Sequence, residues 1–405
     1  MNVWGLIGIA GLLLIGFLCS ENRSRIHWRP VLIALAIQML FGFIVLKWTA
    51  GRNALKAVSN GVSQVIAYAN EGISFVFGSA IPPAGQGFIF AFQVLTIVIF
   101  FSSLIAVLYY LGIMQWIIRI IGGGLSKALG TSKPESLSAT ANIFVGMVEA
   151  PLLVKPYLST MTRSELFTVM TGGMASVSGS VLAGYALMGV PLEYLIAASF
   201  MSAPAGILVS KLLIPETESY HHHESQEESV NEKTANVIDA AAAGAVDGLQ
   251  IALAVGATLI AFIGLIALLN GLLSGIGGWF GFPNLTLHSI LGWIFSPIAY
   301  LIGIPWSEAS VAGSLIGQKV VVNEFVAFSE LGKIIDQISA RTLMITSFAL
   351  CGFANLSSIA IQISGLSSMA PDRRTQITKL GMKAVLGGTL ANLISAAIAG
   401  LFFAG

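Results

Sequence analysis

Long apolar runs separated by short polar breaks recur from one end of this chain to the other, and they leave few folds open to it. A helix needs about 20 mostly apolar residues to cross the hydrocarbon core of a bilayer. Such runs extend over Val3 to Cys19, Val31 to Trp48, Gly87 to Met114, Phe167 to Met188, Leu192 to Leu213, about Val237 to Leu272, Leu343 to Ile363 and Leu380 to Phe403. They take up most of a 405-residue chain that is only 10% charged, against roughly 25% in a soluble domain. An ordinary water-soluble enzyme is excluded. The expectation is an all-α polytopic membrane protein with eight transmembrane helices. No basic residue precedes the first run, so it reads as a retained span rather than a cleaved signal.

Charge sets the expected direction of the spans. Arg23, Arg25 and Arg29 follow the first run and mark its end as cytoplasmic, because basic loops stay inside. Alternation from there puts both termini outside the membrane. Of the 20 Lys and Arg, only Lys47, Arg52, Lys56, Lys319, Lys333 and Arg341 then fall outside. The stretch Asn53 to Val76 is too polar to span and reads as an amphipathic interfacial helix. Glu216 to Asn236, with six Glu and the run His221-His222-His223, reads as a solvated cytoplasmic linker. Adjacent histidines in such a linker make a poor metal site. Cys19 and Cys351, far apart in apolar stretches, read as small hydrophobes rather than a disulfide or a zinc site. A formal net charge of +1 offers no field to gather nucleic acid.

The two halves repeat a pattern. Ser138-Ala-Thr-Ala-Asn142-Ile-Phe-Val-Gly146-Met-Val-Glu149-Ala-Pro151 precedes a span broken at Gly172-Gly-Met-Ala-Ser176-Val-Ser178-Gly-Ser180. Gly313-Ser-Leu-Ile-Gly317-Gln-Lys-Val-Val-Val-Asn323-Glu324-Phe325 precedes one broken at Cys351-Gly-Phe353-Ala-Asn355-Leu-Ser357-Ser358. Glu149 lies 29 residues before Ser178, and Glu324 lies 31 before Asn355. Each unit reads as two short arms and a turn, neither arm long enough to cross alone, followed by a span: a re-entrant hairpin. The first enters from the cytoplasm and the second from outside, which makes an inverted repeat of the kind that holds a transporter's substrate near the midplane.

The organisation expected is therefore scaffold spans 1–3 with the interfacial helix over 1–114 and a first repeat over 115–214, containing an interfacial helix, hairpin 1 and spans 4–5. The cytoplasmic linker covers 215–236, and the long sixth span with an outer loop covers 237–286. A second repeat over 287–405 holds an interfacial helix, hairpin 2 and spans 7–8.

A carboxylate near the bilayer centre costs roughly 2.5–3.5 kcal/mol on insertion scales, which makes Glu149 and Glu324 candidate functional groups. Each could instead cap its own hairpin by facing the positive end of a half-helix. Asp247, near the start of its run, reads as an interfacial acid. Ser178, Ser180 and Ser357 suit close helix packing as well as ligand contact, whereas Asn355 inside a span favours a ligand. The residues alone leave open an intramembrane enzyme using Glu149 and Glu324 as an acid–base pair, although no metal motif, Ser/His pair or nucleotide loop accompanies them.

The segments GMVEAP at Gly146 to Pro151, NEFVAF at Asn323 to Phe328 and CGFANLSSI at Cys351 to Ile359 resemble the concentrative nucleoside transporter family. So do GFIFAF at Gly87 to Phe92, YYLGIMQWIIRIIGGGLSKALG at Tyr109 to Gly130 and VIDAA at Val237 to Ala241. The resemblance covers nearly the whole chain. It implies a sodium:nucleoside symporter with no organic cofactor, not an enzyme, working by alternating access. A hairpin-containing transport domain would move elevator-like against a scaffold that forms a homotrimer. A proton-coupled symporter is the nearest alternative.

Residue by residue, the resemblance implies that Glu324 and Asn355 bind ribose hydroxyls, that Ser358 serves the sugar end, and that Phe353 and Val181 border the ligand. Gly146, Met147, Val148 and Glu149 would lie on the nucleobase side. Sodium would take the side chains of Asn142 and Ser176 with carbonyls of Asn142, Val145 and Val177, a hard-oxygen set. One departure stands out, because this branch of the family usually reads Gly-Gln-Thr-Glu where the chain has Met147 and Val148 between Gly146 and Glu149.

Overall fold

The computed structural model describes residues 2–81, 89–218 and 234–403. The His221–His223 run, most of the linker, and Gly87 and Phe88 of the third apolar run lie outside the described residues. All regular structure among the described residues is helical. The first third holds α1 (Asn2–Leu18), α2 (Trp28–Gly42), which continues through a π-turn to Lys47, the amphipathic α3 (Thr49–Phe77), the short α4 (Phe90–Gln93) and α5 (Leu95–Tyr110). The first repeat follows as α6 (Ile113–Leu129), α7 (Lys133–Ala141), α8 (Arg163–Ala175), α9 (Gly179–Leu187) and α10 (Leu192–Leu213). After the linker come α11 (Val237–Trp279), α12 (Leu287–Leu301), α13 (Trp306–Val321), α14 (Glu324–Ile334), α15 (Ala340–Leu350), α16 (Leu356–Met369) and α17 (Arg374–Phe402).

Among the described residues, six segments are long and apolar enough to cross a bilayer: α2 with its π-turn, α4–α5, α8–α9, α10, α11 and α17. Two more complete the expected eight, namely α1, 17 residues long, and the broken pair α15 and α16. The 43 residues of α11 reach about 65 Å at 1.5 Å per residue, twice the hydrocarbon thickness. That length suits a strongly tilted span or one that projects beyond the membrane. Only 11% of its apolar window is buried within the chain, against 94% for α8–α9 and for α10, so α11 packs on the outside of the fold.

Both hairpins are present. In the first, α7 and a 3-10 segment at Ala150–Tyr157 flank the turn at 142–149. In the second, α13 and α14 meet at Val322–Asn323. At nine residues α7 spans about 14 Å, well short of a crossing.

Contacts at the hairpin bases show that the two enter from opposite faces. Arg373, before α17, donates to the carbonyls of Ser159 and Met161 at 2.9 and 2.8 Å, which ties down the end of the first hairpin. Beside it, Glu21 after α1 pairs with Arg163 at 2.8 Å and Lys383 at 2.9 Å. On the other face, Glu308 at the start of α13 accepts from the Ser339 amide and hydroxyl at 3.1 and 2.8 Å, and Arg341 donates to the Gly303 carbonyl at 3.0 Å. Trp4, at the opposite end of α1 from Glu21, reaches the Tyr300 carbonyl there at 2.8 Å. Helices α1 and α17 run antiparallel, with Gly5 against Ala397 and Leu401 and Gly16 against Leu390. Asn2 and Phe402 therefore share a face, as an even number of crossings requires.

Two details differ from expectation. Lys319 and Arg341, assigned to the outer side, are both buried, and Lys319 is only 1% exposed inside a hairpin arm. Cys351 is buried as expected, but Cys19 is exposed at the end of α1.

Candidate functional site

Asn323 and Asn355 build the second half of the site by the same local device. Each precedes a helix in extended conformation and accepts an N–H from its first turn: Asn323 from Val326 at 2.9 Å, Asn355 from Ser358 at 2.8 Å. Capping by Asn satisfies an amide that a helix start leaves unpaired. It also places Glu324 in the first turn of α14, where the helix dipole favours an anion.

The Glu324 carboxylate accepts from Asn355 Nδ2 at 3.0 Å and from Tyr185 Oη at 3.3 Å. Tyr185 is fixed by stacking on Phe328, ring centroids 4.3 Å apart, and by an edge contact with Phe325. A carboxylate offers about four acceptor positions, and the chain fills two. Its remaining acceptor positions have no side-chain donor among the described residues. Val181 lies one turn before Tyr185 on α9; it and Ser358 are buried, while Phe353 is half-buried.

The first half of the site offers neutral oxygens instead. Gly179 N–H donates to the Phe144 carbonyl at 2.9 Å and pins the first hairpin turn against the break between α8 and α9. Asn142 ends α7 and donates through Nδ2 to the Ser138 carbonyl at 2.9 Å, while its Oδ1 is buried with no partner. Ser176 is extended, at φ −115° and ψ 170°, with its hydroxyl on the Gly172 carbonyl at 3.1 Å. Val145 and Val177 are buried, so what they have to offer an ion is their carbonyls. The structure thus gathers Asn142, Val145, Ser176 and Val177 at one junction. An orphaned amide oxygen among hard neutral donors fits an alkali cation.

A cavity of about 1210 Å³ separates this body from α5, α6 and α11. Gly146, Glu149, Ser178 and Ser180 line one wall, and Tyr109 and Asp247 line the other. Arg119, and Lys155 and Tyr157 near the base of the first hairpin, also line it. Glu149 takes the N–H of Gly146 and so stabilises its own turn as well as facing the cavity.

Met147 and Val148, expected beside the nucleobase, are not among the residues that line the cavity. Met147 is 7% exposed and packs on Gly173 of α8, and Val148 packs on Gly365 of α16. Between the carboxylates the structure shows two separate environments rather than one acid–base pair.

Sequence reasoning missed several participants. Tyr185 sits in an apolar run with nothing to mark it. Asp247, read as interfacial, faces Glu149 across the cavity. Lys319 and Asn392 carried a signal, since a cation and an amide inside apolar helices at depth need partners. They have each other, at 2.7 Å.

Three adjoining stretches match family models: residues 7–80 the N-terminus of the Na+ dependent nucleoside transporter, residues 91–192 a nucleoside recognition (Gate) domain, and residues 194–400 the C-terminus of the same transporter. The chain is 59% identical over 404 residues to an uncharacterized transporter, YutK, of Bacillus subtilis, covering 99% of this chain and all of that one. With the nucleoside permease NupC of Helicobacter pylori it shares 49% over 411 residues, covering 99% and 98% of the two chains. A solved structure of CNTnw in an inward-facing substrate-bound state superposes with a TM-score of 0.96 at 57% identity, over 99% of this chain and 98% of that one. With its hairpins, broken helices and polar clusters so placed, the chain belongs to the Na+-dependent nucleoside transporter family, whose members are membrane transporters and not enzymes.

Proposed function

We propose that this protein is a sodium-coupled nucleoside importer of the bacterial inner membrane. The observation that carries the reading is the pairing at depth of an incompletely satisfied, helix-capped carboxylate, Glu324, with a neutral oxygen set around the orphaned Asn142 Oδ1. The first is suited to sugar hydroxyls and the second to a dehydrated cation. Glu324 and Asn355 take the ribose hydroxyls, Ser358 serves the sugar end, and Phe353 and Val181 flank the ligand. Gly146 and Glu149 face the base, with Met147 and Val148 shaping the turn from behind. Sodium, the co-transported ion, is held by Asn142 and Ser176 with carbonyls of Asn142, Val145 and Val177.

Alternating access follows from the division of the fold. The hairpins with α8–α10 and α15–α17 form a polar-cored body that slides elevator-like past α3, α5, α6 and α11. The cavity between them marks the face open in this structure. The long exposed α11 supports assembly of the scaffold as a homotrimer. The basic clusters at the base of the first hairpin support a cytoplasmic location for that face, with both termini outside.

The test is uptake of labelled uridine by the purified protein in proteoliposomes, at equal pH inside and out, under an inward sodium gradient or in choline. Accumulation above the external concentration only with sodium is expected. Accumulation in choline under an acid-outside gradient would transfer the coupling to protons, and absence of saturable nucleoside uptake under either gradient would overturn the reading.

A further inference from the structure

Lys319 lies on α13, five residues before Glu324, and is 1% exposed at membrane depth. Its ammonium donates to Asn392 Oδ1 at 2.7 Å. The Asn392 amide, on α17, donates in turn to the Ala175 carbonyl at 2.6 Å and the Cys351 carbonyl at 2.9 Å. Ala175 is the last residue of α8, and Cys351 the first beyond α15. Both carbonyls belong to the unpaired set at a helix C-terminus and stand at the negative ends of half-helix dipoles. One side chain of α17 thus holds both helix breaks of the inverted repeat, and a cation from the second hairpin holds that side chain.

The arrangement has little room to be otherwise. A Cβ on Gly352 would overlap the Asn392 carboxamide, and one on Gly388 would come within 2.6 Å of Met174 Cβ. Lys is a donor only, so it can donate to nothing but the oxygen of the Asn392 amide. A flipped amide would set its NH2 against the ammonium and its oxygen against two carbonyl oxygens. Lys319 therefore fixes which way Asn392 faces. Beside this hub the breaks also touch directly, with Phe353 N–H on the Ser176 carbonyl at 3.0 Å.

We propose that Lys319 and Asn392 are positioning residues that lock the two helix breaks in register, so that a cation bound beside Ser176 and Val177 raises nucleoside affinity at Glu324 and Asn355. The inference rests on the site assignment made under Proposed function. Ser176 of the ion set follows Ala175 by one residue and Asn355 of the ribose set follows Cys351 by four, so the two carbonyls that Asn392 holds stand beside the two sites. An ion that orders one break orders the other through the shared amide.

The experiment compares wild type, Lys319→Met, Lys319→Gln and Asn392→Leu, purified into nanodiscs, with uridine Kd measured by calorimetry in saturating sodium and in choline. The choline-to-sodium Kd ratio is the coupling, and allosteric couplings typically fall at about 5–150-fold. The wild-type ratio is expected above about tenfold. In Lys319→Met and Asn392→Leu it falls below about threefold, while the choline Kd stays near that of wild type. A Lys319→Met protein that melts cooperatively and keeps the wild-type ratio overturns the proposal. So does an equal weakening in both media, which is what a merely structural role gives. Should the Met variant not fold, Lys319→Gln decides: it keeps the bulk and an amide but not the charge, so a reduced ratio supports the lock and an unchanged one overturns it. A wild type whose uridine affinity ignores sodium overturns the site assignment itself, and the lock with it.

Discussion

The two hairpin turns hold different kinds of polar group. The second is short and helix-capped: Asn323 starts α14, and Glu324 stands at its positive end with Asn355 and Tyr185 donating to it. The first is longer and built from turns and carbonyls, with Asn142 Oδ1 left open at the C-terminal, negative end of α7. A charge needs a dipole and several donors to be held in a low-dielectric setting, whereas neutral oxygens can be left converging on a space. On the function proposed above, one repeat offers an anion to hydroxyls and the other offers neutral oxygens to a cation.

Glu324→Gln tests that contrast hardest. Hydrogen bonds to a charged group contribute about 1.5–3 kcal/mol each, so uridine affinity is expected to fall at least about tenfold at 1.4 kcal/mol per decade. The half-saturating sodium concentration measured without nucleoside should not move. Unchanged uridine affinity in a correctly inserted variant would remove the ribose from Glu324.

Asn142→Ala probes the other side. Loss of one oxygen from a site governed by ligand number should raise the sodium needed for half-maximal uptake by about five- to tenfold, with uptake at saturating sodium within about twofold of wild type. Equal loss at all sodium concentrations would place the ion elsewhere.

Tyr185→Phe sharpens the comparison by trimming the anion's cradle. The bond it removes is long, at 3.3 Å, and so falls below the usual range of about 1.5–3 kcal/mol for a bond to a charged group. Uridine Kd should rise only about two- to threefold, in sodium and choline alike.

The smallest effect belongs to Met147→Gln. Met147 and Gln362 both pack on Gly173, and Gln362 Oε1 is buried without a partner. The new amide finds that oxygen rather than a base, so relative affinities for uridine, cytidine and adenosine should shift less than about twofold on the usual scale of a satisfied internal bond. A selective tightening for one base would mean that the first turn swings toward the ligand.

Much of this was legible in the residues. The apolar runs gave the spans, and the Gly/Ser/Asn interruptions near Ser176 and Phe353 gave both breaks, because backbone freed from helix bonding at depth must be lined by polar groups or protein. The paired Glu and Asn positions gave the hairpins. Spacing could not say which way Met147 and Val148 point, since a turn of eight residues has no fixed period. Nor could it show that Asp247 stands across a cavity from Glu149.

By itself the sequence determined what must be buried and what must be broken: hydropathy fixes which segments enter the bilayer, and caps such as Asn323 and Asn355 act within one turn of their own helix. Only the tertiary structure decided which polar groups satisfy one another. Lys319 counted as an outer-side charge until α13 folded back beside α17 and gave it Asn392, itself already holding the ends of α8 and α15. A buried ammonium requires a partner, but its chemistry does not name one; packing at 73 residues' separation does.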